Sequence, residues 1–282
     1  MRIAISGSKG QLGLALQEVL GRPDGPGDAT LLLDLPEHDI TDLAATTAAI
    51  AAFRPQVIIH GAALTDVDRC EREPDLAYRV NALGTRNLAV AAQQVGAAMV
   101  YVSTDYVFPG RPEPYWEYDR PEPLSVYART KWYGEQIVRD LLPRHYIART
   151  AWMYGRGPRN FVRTVLRLAD ERGAMQMVTD EVGSPTYALH LARALERLVR
   201  TDAYGIYHLA NAGVCSRYEW ACKVLRLAGR EGVEVTPATN YRRLARVPSR
   251  VELQNASGEA IGIAMPPWQE ALAEYLARGL DG

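Results

Sequence analysis

Short aliphatic runs alternate with longer stretches of helical period through the first half of the chain. Residues 2–6 (RIAIS), 30–33 (TLLL), 56–60 (QVIIH) and 98–103 (AMVYVS) are apolar at nearly every position, and helical period fills the stretches near 11–20, 42–53 and 73–95. Strand followed by helix, repeated, predicts a parallel sheet; strands apolar on both faces predict helices on either side of it. The expected fold class is α/β, a Rossmann-type doubly wound parallel sheet. Residues 104–123 (TDYVFPGRPEPYWEYDRPEP) break the rhythm with prolines and aromatics, and a connection of that length is usually functional. A helix over 124–141 and a strand over 145–149 follow. Beyond them the alternation becomes irregular, with helices expected at 159–172, 187–200, 216–228 and 267–278 and a strand at 205–209. The chain therefore divides into a sheet domain of residues 1–150, rejoined by 187–211, and a smaller C-terminal lobe of 151–186 and 212–282.

Composition narrows the class. The 282 residues are 48% hydrophobic and 23% charged, and 32 basic against 33 acidic side chains leave a net charge of -1, which supports neither a disordered chain nor a general electrostatic hold on nucleic acid. No apolar run reaches the roughly 18 residues of a membrane span, and MRIAISGSKG lacks the long apolar stretch of a signal peptide, so a cytoplasmic protein is expected. Cys70, Cys215 and Cys222 form neither an even set nor a metal-ligand pair and read as small buried hydrophobes. The five histidines are scattered singly and no metal site is expected. Trp116, Trp132, Trp220 and Trp268 read as core or lobe packing.

Gly7, Gly10 and Gly13 follow the first strand and open the first helix, where glycine lets the backbone approach a pyrophosphate held at the helix N-terminus. Asp34, 21 residues beyond Gly13, reads either as a partner for the adenosine ribose hydroxyls, which favours NADH, or as a solvated turn residue. Arg22 or Arg54 would be the counterpart for a 2′-phosphate. Asp39 reads as an adenine contact with Ile40 packing beside it, or as a cap of the next helix. The strongest signal is Tyr127-Ala-Arg-Thr-Lys131, since residues four apart share a helix face, and the chain has only three lysines. An ammonium there, with an oxidised nicotinamide, would draw the phenol pKa down toward working pH for general acid or base chemistry. Ser103, Thr104 and Asp105 end the fourth strand, where ligands of open parallel sheets collect, and the Thr104 hydroxyl can hold a carbonyl. Trp152 follows a strand end and is a candidate for stacking on a flat ring.

HGAALTDVD (60–68), VNALGTRNL (80–88), STDYVFPG (103–110), SVYARTKWYGE (125–135), RTAWMYG (149–155) and DEVGSPT (180–186) occur in an order that resembles the extended short-chain dehydrogenases, most closely their dTDP-4-dehydrorhamnose reductase branch, over essentially the whole chain. The resemblance implies a catalytic set of Thr104, Tyr127 and Lys131. It places NADPH or NADH against Gly7, Gly10, Gln11, Leu12, Gly13, Asp34, Asp39, Ile40, Ala62, Ala63, Leu64, Thr65, Tyr127 and Lys131. It also implies a nucleotide-sugar substrate, met by Val67, Thr104, Asp105, Tyr106, Tyr127 and Trp152, and a smaller C-terminal substrate-binding lobe, with Arg149, Asn160 and the GSPT turn shaping the mouth of the pocket. Some relatives hold Mg2+ between subunits through glutamates. The corresponding positions here are Ala15, Leu189 and Gln269, so the resemblance implies no magnesium site and leaves a homodimer open. Neither a membrane nor a nucleic-acid partner is implied. Two other readings share the fold. Dehydratases of this superfamily carry an acidic pair after the threonine, where this chain has Asp105 followed by Tyr106; a non-catalytic NADP-binding subunit would not need the complete Tyr127 and Lys131 pair.

Overall fold

Six parallel strands run through the centre of the molecule: β1 (Arg2–Ser6), β2 (Ala29–Leu33), β3 (Val57–His60), β4 (Ala98–Thr104), β5 (His145–Thr150) and β6 (Gly205–His208), in the order β6-β5-β4-β3-β1-β2. The computed structural model describes residues 1–22, 25, 27–239 and 241–281. β2 lies on one side of β1 and β3 on the other, so the winding reverses there and a crevice opens at their carboxyl ends.

Up to β5 the helices are α1 (Gln11–Leu20), α2 (Leu43–Phe53), α3 (Val67–Arg72), α4 (Pro74–Tyr78), α5 (Thr85–Val95) and α6 (Val126–Leu141). Beyond it come α7 (Phe161–Arg172), α8 (Ala188–Leu198), α9 (Arg217–Leu227), α10 (Ala256–Ala260) and α11 (Trp268–Ala277). Successive strand residues point to opposite faces, and both faces are covered. Ile3, Ile5, Val57, Ile59 and Val100 pack with Leu12 and Leu16 of α1 and Leu191 and Leu195 of α8. Ala4, Ile58, Met99 and Tyr101 pack with Ile50 of α2, Leu88 and Ala92 of α5, and Val138 of α6.

Four features depart from the sequence reading. The stretch 73–95 is not one helix: a π-helical turn at Arg79–Gly84 separates α4 from α5. Helix α3 and three short strand pairs went unread: Ala174–Val178 with Glu234–Ala238, Val182–Gly183 with Cys215–Ser216, and Met153–Tyr154 with Thr186–Tyr187. The two-residue strands carry too few side chains to display a period of two. Trp116 is exposed and stacks on Tyr118 instead of entering the core. Cys222 is only half-buried, although Cys70 and Cys215 are buried and all three are free thiols. The proline-rich connection after β4 is packed, with Phe108 stacked on Tyr115 at 4.2 Å. Among the described residues no helix is long and apolar enough to cross a membrane.

Candidate active site

The glycine turn closes the crevice from one side. Gly7 takes φ +73°, a left-handed conformation, and a Cβ there would lie 2.7 Å from the Ala62 nitrogen. A Cβ on Gly13 would lie 2.3 Å from the Gly7 carbonyl oxygen, so helix α1 can start this close to the turn only without a side chain at that position. Gly10 stands at the N-cap, no acidic residue occupies the first turn, and the free N–H groups of α1 face the crevice as an anion site needs. Leu12 is 4% exposed in the core, so its contribution to such a site is its backbone. Asp34 is tied into the turn, its Oδ2 accepting from the Lys9 N–H at 2.7 Å and its Oδ1 from the Leu35 N–H at 2.8 Å. Asp39 is exposed and its Oδ1 accepts from the Thr41 N–H; the cap of α2 is Asp42 instead. Ile40 is buried against Gly84, where a Cβ would come within 2.8 Å. Arg22 and Arg54 do not stand by an adenosine ribose: they follow the C-termini of α1 and α2, each about 15 Å of helix from the carboxyl-end crevice.

Thr104, Tyr127 and Lys131 converge at the end of β4. Ser125 caps α6, its Oγ accepting from the Ala128 N–H, and Glu71 Oε1 of α3 accepts from the Val126 N–H at 2.7 Å. These two contacts fix the helix start one residue before Tyr127. The Thr104 hydroxyl donates to Asp105 Oδ1 at 3.0 Å and accepts from the Tyr106 N–H at 3.2 Å. Tyr106 stands edge-on to Tyr127 at 6.1 Å. Lys131 is 4% exposed, with Nζ 4.2 Å above the Tyr101 ring.

The electrostatics differ from the expectation of a phenol lowered by lysine. Desolvation pushes Tyr127 well above the ordinary tyrosine value, Asp105 and Tyr106 push the same way, and only the Thr104 hydroxyl opposes them. Burial pulls Lys131 down to about 7 against the field of Glu135. Burial also raises the Asp105 carboxyl to about 7, opposed by the Thr104 hydrogen bond and by Arg217. Without cofactor, then, Tyr127 is a neutral phenol, ready to give a proton.

Residues beyond the motif hold this arrangement. Asn81, in the π turn, accepts from the Leu64 N–H at 2.7 Å and donates to the Leu64 carbonyl and to Thr130 Oγ1, joining the loop after β3 to α6. Glu135, fully buried on α6, takes two hydrogen bonds from Arg149, 2.9 and 2.8 Å, and one from Ser103 at 2.6 Å. His60, fully buried at the end of β3, bridges Ser6 Oγ at 2.6 Å and Thr85 Oγ1 at 2.9 Å, and burial lowers its pKa to about 3. Single-residue patterns gave no sign of these, because each partner lies 14 or more residues away in sequence.

Three expected substrate-pocket residues serve otherwise. Arg149 is 2% exposed inside the Glu135 pair and does not shape a pocket mouth. Asn160 caps α7, accepting from the Arg163 N–H and donating to the Gly155 carbonyl. The Trp152 ring is already covered: the Arg217 guanidinium lies 3.4 Å from its centroid, Trp220 stacks on it at 5.8 Å, and a Cβ on Gly183 would touch it at 2.6 Å. Val67 opens α3, which packs on α6 beside Tyr127.

A tyrosine and a lysine one helical turn apart, facing a glycine cradle at the reversal point of a parallel sheet, are the working parts of the extended short-chain dehydrogenases/reductases. Within them, the model of the RmlD substrate binding domain matches residues 1–280, and the chain belongs to that family. It is 36% identical to the spore coat polysaccharide biosynthesis protein SpsK of Bacillus subtilis (strain 168), over 98% of this chain and 96% of the relative. It is 38% identical to the dTDP-4-dehydrorhamnose reductase of Aggregatibacter actinomycetemcomitans, over 98% of both. The dTDP-4-dehydrorhamnose reductase of Bacillus anthracis str. Ames, solved in complex with NADP, superposes with a TM-score of 0.94 at 41% identity over 99% of both chains.

Proposed function

We propose that the protein reduces the 4-keto group of dTDP-4-dehydro-L-rhamnose with NADPH or NADH, giving dTDP-L-rhamnose, the last step of dTDP-rhamnose biosynthesis. The observation that carries this reading is the Tyr127 phenol, desolvated beside Thr104 at the mouth of the sheet crevice and one helical turn from Lys131, in a chain similar over its whole length to reductases of that substrate. The residues fit a dinucleotide: Gly7 and Gly13 leave backbone where a Cβ would collide, and α1 presents its free N–H groups beside them.

Bound there, the reduced nicotinamide supplies hydride to the sugar keto carbon. Tyr127 gives its proton to the keto oxygen as negative charge gathers on that atom, and Lys131 stabilises the phenolate left behind. A phenol held above its usual pKa stays protonated through the working range, so the donor is present in every turnover. Thr104 orients the phenol, and Asp105, Tyr106 and Val67 line the sugar side. Asp34 meets the adenosine ribose and Asp39 the adenine, with Ala62, Ala63, Leu64 and Thr65 along the loop after β3. On this reading residues 1–150 and 187–211 form the cofactor-binding domain and the remainder a smaller substrate-binding lobe, in a cytoplasmic protein.

The test is loss of 340 nm absorbance with purified protein, dTDP-4-dehydro-L-rhamnose and NADH or NADPH at equal concentration. Stoichiometric oxidation is expected and ranks the cofactors; absence of oxidation by a protein that binds both overturns the substrate assignment.

A further inference from the structure

The loop of residues 155–160 leaves the smaller lobe and lies against the glycine turn. Gln11, the first residue of α1, donates from Nε2 to the Arg159 carbonyl at 3.3 Å, and a Cβ on Gly157 would stand 3.5 Å from Gln11 Cγ. The other side of the loop is fastened at Gly155, whose carbonyl accepts from Asn160 Nδ2 at 2.7 Å and from the Tyr275 hydroxyl at 3.2 Å. Gly157 takes φ +137°, which a side chain would strain, so the backbone doubles back within a few residues. The turn thus carries Arg156 and Arg159 beside the N-terminus of α1. Both are exposed, and neither forms an ion pair among the described residues.

The charges around the helix start show what is missing there. Lys9, the cation of the glycine turn, is held by Glu37 Oε2 at 2.8 Å and the Leu35 carbonyl at 2.6 Å. A diphosphate at α1 would therefore meet backbone N–H groups and the helix dipole, but no free cationic side chain from the turn itself. Gln11 Oε1 is buried at the same seam without a hydrogen-bond partner.

We propose that the 155–160 loop is the outer wall of the cofactor's diphosphate site, and that Arg156 and Arg159 bind the diphosphate oxygens. This rests on the dinucleotide reading above and adds two ligands that the glycine motif does not contain. Gln11 has a double part in it, its backbone N–H facing the diphosphate and its side chain holding the arginine loop in place. Because the diphosphate is common to both cofactors, the arginines raise affinity for NADH and NADPH alike.

Calorimetric titration of NADH and NADPH into the wild-type protein and the R156Q/R159Q variant tests this directly. Both substitutions are at exposed positions, and an unchanged melting temperature of the cofactor-free variant checks its folding. Affinity for both cofactors is expected to fall together by roughly five- to thirty-fold, the loss of one or two charged hydrogen bonds, with a shallower dependence on salt. Q11A, which frees the loop but keeps its charges, is expected to lose part of the same affinity. Equal affinity in variant and wild type overturns the proposal. A loss confined to NADPH also overturns it by moving the arginines to the 2′-phosphate, as does a raised KM for the sugar nucleotide with cofactor affinity intact. A wild-type protein that binds neither cofactor removes the dinucleotide reading itself, a failure distinguishable from the others.

Discussion

At the scale of single residues, burial sets which groups of the site carry a proton. Tyr127→Phe keeps the ring and removes the proton donor, so kcat is expected to fall by roughly 10²–10⁴-fold with cofactor affinity nearly unchanged, as rapid-mixing and titration measurements would check. Asp105 carries a second consequence. Its carboxyl, raised to about 7 from an ordinary value of 3.8, binds a proton in the folded chain over a pH range where the unfolded chain has released it. Folding stability attributable to this group is therefore full below about pH 4 and declines as pH rises to 7. Asp105→Asn removes that dependence: between pH 5 and pH 8 the wild-type protein is expected to lose more stability than the variant in paired urea melts.

Among elements, the strand ends and helix α6 are joined by a buried charge pair. Glu135 and Arg149 are 0% and 2% exposed, and removing either partner leaves an uncompensated ion in the core. Glu135→Ala is expected to cost about 3–5 kcal/mol in denaturant unfolding, whereas replacing both residues by apolar ones of similar volume should cost much less. This pair also shows where sequence reading stops. Strands β1, β3 and β4, the helices over them, the glycine turn and Tyr127-x-x-x-Lys131 were all legible, since local period and short spacing encode them. The two-residue strands were too short for period, and Asn81, Glu135 and His60 act through partners far along the chain. Trp152 shows a related limit: an aromatic after a strand end says nothing of the Arg217 and Trp220 contacts that its ring makes.

Over the whole molecule, the parallel sheet and the helices beyond β5 are parts of one packed body. A continuous core runs from Ile3 and Ile5 in the sheet to Trp220, Leu272 and Tyr275 in the smaller lobe. Urea unfolding followed by far-ultraviolet dichroism and by tryptophan emission should therefore give coincident transitions. NADPH at a hundred times its Kd should move both by about 2.7 kcal/mol; a lobe that melted separately would split the curves. The π turn at Arg79–Gly84 bears on how such a chain can vary through evolution. It holds one residue more than an α-helical turn would, and α4 and α5 are phased around that surplus. Deleting a single residue there would restore a regular helix but rotate one side against the other by about 100°. Either Asn81 would swing away from Leu64 and Thr130, or Leu88 and Ala92 would leave the core. Substitutions can accumulate in this stretch, but its length is locked, and insertions and deletions in the lineage should fall everywhere else first.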